Sequence, residues 1–256
     1  MTTPWLVALA GLLGLAVGSF LNVCIYRLPL EQSLAFPPSH CTSCRRRLSW
    51  FENVPVLAWI VLRGRCRTCH ARISAVYPAV ELFTGAMFAW AAWHYGPGLL
   101  LVSRLLFGCM LIVLFFIDLR HRILPNPITV GGTAVGFLFS LVTPPGWVSS
   151  LIGLAVGGLI PLLLAEAYLR LRKIEGLGMG DVKMLALIGA FLGWQLVLLT
   201  LAVASVLGSL VGLGMILTRR GDMKYALPFG TFLAMAAMFA AAAGEPVVQW
   251  YMGFYR

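Results

Sequence analysis

Acidic residues are scarce in this chain. Its 256 residues hold nine Asp/Glu against nineteen Lys/Arg, and charged residues of both signs make up only 11%. An average soluble domain is ~25% charged and ~45–50% apolar. With 60% hydrophobic residues, this chain could not hide its apolar side chains in one soluble core. The lack of charge, beside so much Leu, Ala and Phe, also excludes disorder. Six cysteines are too few for a secreted disulfide scaffold of this length. The net charge of +10 comes without a basic-aromatic stripe, so no nucleic-acid partner is expected. What the chain does have is long apolar runs, which point to an all-α polytopic membrane protein. Only three aspartates occur: Asp118, Asp181 and Asp222.

A spanning helix needs ~20 mostly apolar residues. Apolar segments cover 5–26, 78–95, 99–118, 128–142, 147–169, 183–217 and 228–243. The first lacks a basic flank and reads as an uncleaved anchor. The 183–217 segment is too long for one crossing, and Gly193-Trp194-Gln195 offers a break into 183–193 and 195–217. About eight transmembrane helices are therefore expected. With the 27–77 loop in the cytoplasm, alternation places 17 of the 19 basic residues inside. Arg219, Arg220 and Lys224 would face outward if 183–217 crossed once. Eight crossings put both termini outside. The expected layout is a first helix at 1–26, a cytoplasmic loop domain at 27–77 and a helical bundle at 78–256. Glycine pairs such as Gly14/Gly18, Gly153/Gly157 and Gly189/Gly193 let helix backbones approach within a monomer or across a dimer. The oligomeric state is left open.

The loop carries Cys41-Thr42-Ser43-Cys44 and Cys66-Arg67-Thr68-Cys69. Two C-x-x-C knuckles supply the four thiolates of a tetrahedral zinc site. Two disulfides are the alternative, disfavoured in a reduced cytoplasmic loop. His40 and His70 flank the knuckles as reserve ligands. Four protein ligands leave no open position, so the metal would be structural, closing a loop with little core of its own. Within the loop, the apolar run Pro55 to Leu62 is too short to cross. It is expected to dip into the interface or pack on the spans.

Asp118 ends the third span, and Asp181 opens the sixth in Gly178-Met179-Gly180-Asp181. Both helix ends fall on the cytoplasmic side of this layout. Ionisable residues at the rim of an apolar bundle are candidates for function. Asp181 could instead be a plain N-cap, and Asp118 a boundary residue paired to Arg120 or Arg122. Lys183 could act on Asp181 or simply mark the inner face. Two facing carboxylates can share one proton. The ionised one then takes a proton from water while the neutral one protonates a carbonyl oxygen, which is peptide hydrolysis without a covalent intermediate. Gly176, Gly178 and Gly180 would let an extended substrate lie against the backbone. Asp222, among Arg219, Arg220 and Lys224, reads as solvated.

These residues together resemble the type IV prepilin leader peptidases, membrane aspartic proteases of the GxGD class. Gly178-Met179-Gly180-Asp181 matches the motif. Asp118 followed by Ile123-Leu124-Pro125-Asn126 matches the family's other aspartate segment. Gly18-Ser19-Phe20-Leu21-Asn22-Val23 with Tyr26-Arg27-Leu28-Pro29 resembles its N-terminal signature, and the paired knuckles resemble its zinc loop. Tyr77-Pro78, Glu81-Leu82 and Leu227-Pro228-Phe229-Gly230 also look like family segments. The resemblance implies an enzyme of the bacterial inner membrane whose Asp118 and Asp181 cut the basic leader from prepilins or pseudopilins at the cytoplasmic face. Members with the cysteine loop usually also N-methylate the new N-terminus from S-adenosylmethionine. No methyl-donor site is legible here. Glu81 is a candidate for substrate contact or a paired boundary residue. Three rivals stay open: a peptidase without methyl transfer, a proton-coupled transporter and a non-catalytic assembly scaffold.

Overall fold

The computed structural model describes residues 3–173, 178–218 and 227–254. Gly176, Arg219, Arg220, Asp222 and Lys224, singled out above, lie outside the described residues. Among the described residues there is no strand, only two isolated bridges in the cysteine loop, His40 with Arg47 and Arg65 with Arg72. The helices are α1 (Pro4–Arg27), α2 (Leu57–Val61), α3 (Val76–Tyr95), α4 (Leu99–His121) and α5 (Asn126–Ser140). They continue with α6 (Trp147–Leu154), α7 (Ile160–Arg172), α8 (Met179–Leu192), α9 (Trp194–Leu217) and α10 (Phe229–Gly253). A π-helical turn, Ala155–Leu159, joins α6 and α7 into one rod.

Each expected apolar segment is a helix, but the expected count of eight crossings is not confirmed. Among the described residues, five stretches are long and apolar enough to span: Pro4–Leu30, Leu99–His121, Trp147–Leu171, Trp194–Leu217 and Phe229–Gly253. These make the chain an integral membrane protein. The 15 residues of α5 and 14 of α8 give about 22 and 21 Å of helix, short of a ~30 Å hydrocarbon layer. The 20 residues of α3 are long enough but include Glu81 and His94. α8 is apolar all round because it is buried on nearly every side, from Val182 to Leu192. Composition alone does not separate such a core helix from a crossing one.

The chain divides into two compact units, Met1–Leu105 and Leu106–Arg256. In the first, α3 runs antiparallel along α1. A Cβ on Gly14 would come 2.8 Å from the Cα of Gly85, and one on Gly18 would come 2.7 Å from the Cα of Glu81. Asn22 Nδ2 donates to the Tyr77 carbonyl at 3.0 Å, closing the same seam. Beyond α1, the buried Arg27 guanidinium donates to the carbonyls of Ser33 and Pro37 and so folds the chain back.

In the second unit the core surrounds α8. Phe107, Leu111 and Leu114 of α4 meet Leu185, Ile188 and Phe191 of α8 and Leu233 and Ala237 of α10. Gly153 of α6 packs backbone to backbone on Gly189. The chain reverses between α8 and α9 at Gly193, whose φ of +80 favours glycine. That is the break expected inside 183–217.

Candidate active site and metal centre

The cysteine loop lies in the first unit. Its two knuckles repeat one backbone pattern. The Cys41 N–H donates to the Arg46 carbonyl and the Cys66 N–H to the Ala71 carbonyl, both at 2.9 Å. The Arg45 N–H returns to the Cys41 carbonyl, as the His70 N–H does to that of Cys66. Arg45 and His70, each just after the second cysteine, take φ of +57 and +55. Both turns thus aim a pair of thiols inward. The Sγ atoms of Cys41, Cys44, Cys66 and Cys69 all lie within 4.8 Å of one another. Cys41 and Cys69 are 3.7 Å apart, near the ~3.8 Å edge of a tetrahedron with 2.3 Å metal–sulfur bonds. The four thiols are unbridged and could hold a metal ion. Backbone N–H groups of Cys69 and Thr68 bring the Cys66 thiol down to about 6, while Cys69, despite the Ala71 N–H, is pushed up to about 11 by burial and the neighbouring thiols, so the thiols share their protons as one cluster. His40 and His70 are not in the cluster; His40 Nδ1 pairs with the Pro38 carbonyl at 3.1 Å.

Behind the thiols, Arg46 donates to Glu52 Oε1 at 2.6 Å, and Glu52 Oε2 accepts the Ser49 N–H at 2.8 Å. The Glu52 side chain is only 2% exposed. Arg46 also lies beside the Cys66 thiol. This support was not legible in the sequence, where both residues read as loop charges.

The second unit holds both aspartates. Asp118 is buried in the last turn of α4. Its Oδ2 accepts the Thr231 N–H at 2.7 Å and the Thr231 hydroxyl at 3.0 Å. Thr231 lies in the first turn of α10, where its N–H is shared between Asp118 and the Pro228 carbonyl at 3.2 Å. Asp181 lies in the first turn of α8, with Gly178 as N-cap. A Cβ on Gly178 would stand 3.2 Å from Asp181 Oδ2. Leu124 lies between the two helix starts. A Cβ on Gly180 would be 3.2 Å from it and one on Gly230 3.1 Å, the latter also 3.0 Å from Asp118 Oδ2. Small residues at both helix starts therefore let α8 and α10 close around Leu124. The two carboxyls are near enough to feel each other's charge.

Lys183 is held by Asn126 Oδ1 at 2.8 Å. Arg122 lies within electrostatic range of Asp118. Glu81 is in the other unit, where its Oε2 accepts the Val56 N–H at 2.7 Å. Thr231 escaped the sequence reading, which stopped one residue short at Gly230. A helix start just after Pro228 was the available signal.

Two family models match on either side of the division between units. The bacterial peptidase A24 N-terminal domain covers residues 12–95, and the type IV leader peptidase family covers 105–213. A protein of Aeromonas hydrophila named prepilin leader peptidase/N-methyltransferase is 37% identical over 97% of this chain and 95% of its own length. Proteins of the same name from Legionella pneumophila and Myxococcus xanthus are 35% and 43% identical, over 98% and 80% of this chain and 96% and 62% of theirs. The chain belongs to the type IV leader peptidase family. No solved structure matches it.

Proposed function

We propose that this chain cleaves the leader peptide of prepilins or pseudopilins and N-methylates the new N-terminus with S-adenosylmethionine. Asp118 and Asp181 would form the catalytic pair. The observation that carries this reading is that two of the three aspartates, 63 residues apart in sequence, stand at helix ends of one unit that meet around Leu124. The ionised carboxylate takes a proton from water as its oxygen bonds to the scissile carbon, the protonated carboxyl gives its proton to the carbonyl oxygen, and the C–N bond then breaks as the amine takes a proton back from the pair. Thr231 holds Asp118 in place by its two hydrogen bonds, while Gly178, where an added Cβ would meet only Asp181, leaves the backbone beside that carboxylate open to an extended substrate; Gly180 packs on Leu124 instead. The names of the relatives support both activities, and the carboxylate pair supports the first.

The four cysteines would hold a structural Zn²⁺, since four thiolates at tetrahedral separation suit that ion. The chain would sit in the bacterial inner membrane, with the loop and both aspartates facing the cytoplasm and both termini outside, as the distribution of basic residues favours.

The test is to incubate the purified protein with a prepilin and S-adenosylmethionine and to sequence the product by mass spectrometry. A new N-terminus at the leader junction carrying one added methyl is expected. Cleavage without methylation would leave a peptidase alone. No cleavage, with the fold intact, would favour a scaffold or transporter.

A further inference from the structure

Val56 is β-branched, yet it has φ +62 and ψ −51. The Leu57 N–H closes back on the Pro55 carbonyl, which makes this the rarer and more strained hand of γ-turn. A buried carboxylate holds it there: Glu81 accepts the Val56 N–H at 2.7 Å, and the Ser19 hydroxyl also reaches Glu81. The turn therefore fixes the start of α2 to one level of α3. At that level the next residues of α3, Leu82 and Phe83, are more than half exposed, as expected of side chains facing lipid on a helix packed along the spanning α1.

α2 is too short to bury itself. Its inner side is Trp59, whose ring lies over Gly64 and whose Nε1 donates to the Ile73 carbonyl at 3.2 Å. That leaves Leu57, Ile60 and Val61, spaced i, i+3, i+4, pointing out at 62%, 57% and 77% exposure. Trp50, a residue suited to a membrane interface, is 82% exposed in the neighbouring turn. The loop around this face has six exposed arginines, Arg45, Arg47, Arg63, Arg65, Arg67 and Arg72. Of its two acids, Glu52 is already taken by Arg46. An apolar face on a loop that also exposes six guanidinium groups is complementary to an acidic lipid surface.

We propose that the cysteine loop docks on the bilayer, with Leu57, Ile60 and Val61 entering the acyl–headgroup boundary, the arginines meeting anionic headgroups, and Glu81 acting as the positioning residue that sets the level of α2. This does not depend on the aspartates or on any catalytic activity. It gives Glu81 a task other than substrate contact and turns the short apolar run of the loop into an anchor.

The test places a fluorescent amino acid at position 61 or, as control, at exposed position 32, in the full-length protein. Each is reconstituted in nanodiscs of phosphatidylglycerol and phosphatidylcholine with a nitroxide on the upper acyl chain. Quenching at 61 at least about twofold greater than at 32, falling when the anionic lipid is left out, is expected. Glu81→Ala should lower quenching at 61 with the bound metal content unchanged, and Glu81→Gln, which keeps an acceptor oxygen, should restore it. Equal quenching at both positions, or equal access of aqueous iodide to both, overturns docking. Shielding at 61 that instead rises with protein concentration in detergent means a second copy covers the face, and also overturns it. Undiminished quenching in Glu81→Ala overturns the role of Glu81.

Discussion

One residue on the first turn of α10 fixes the Asp118 carboxyl. Thr231 gives it two hydrogen bonds from one residue, the N–H at 2.7 Å and the hydroxyl at 3.0 Å. Thr231→Val keeps the N–H and the shape but removes the second bond. A hydrogen bond to a charged group is worth about 1.5–3 kcal/mol, so kcat for prepilin cleavage should fall by about tenfold or more, with KM little changed. Thr231→Ser should recover most of the rate, and steady-state kinetics of the three proteins decide it. The aspartates were legible because acids are so rare here that any one in an apolar frame stands out. Thr231 was not, because a threonine after a proline and glycine is unremarkable until the tertiary fold brings α10 to the end of α4.

Among the elements, the knuckles were the most legible, since metal-ligand spacing is written directly in the chain. Cys41→Ser should lower bound metal from one ion per chain and raise hydrogen exchange across residues 40–72, and a strong chelator should do the same to the unaltered protein. Arg46 and Glu52 add a pH-dependent brace. Hydrogen bonding to Arg46 and to the Ser49 N–H holds the Glu52 carboxyl below its ordinary value. Its contribution is therefore complete above the unfolded value of about 4.3 and is lost as pH falls through the lower folded one. Glu52→Gln should raise exchange of residues 46–53 at pH 7, and its difference from the unaltered protein should shrink as the buffer becomes more acidic. Where helices meet through glycine, side chains have no room: Gly189→Val would drive a branched side chain into the Gly153 backbone. A loss of several kcal/mol is expected, seen as a lower midpoint in thermal unfolding in detergent.

At the scale of the molecule, hydropathy marked every long helix but not its task. α8 is apolar on every side, and α4, α5, α6 and α10 pack against it. Hydropathy sees the lack of polar residues and not the neighbour, be it lipid or protein, that makes them unnecessary. The break at Gly193 was legible because it needs a residue that tolerates positive φ. The division after Leu105 falls inside α4, one residue past Ser103-Arg104, the polar pair in the otherwise apolar first part of that helix. What the chain does as a whole rests on the paired carboxyls of the second unit. The most direct test replaces each oxygen-for-nitrogen in turn: Asp118→Asn and Asp181→Asn, purified in the same detergent and shown to be folded and to retain metal, then given a prepilin in single turnover. Cleavage should fall below detection in both. Leader release at an appreciable fraction of the normal rate by either one would contradict a reaction run by the pair.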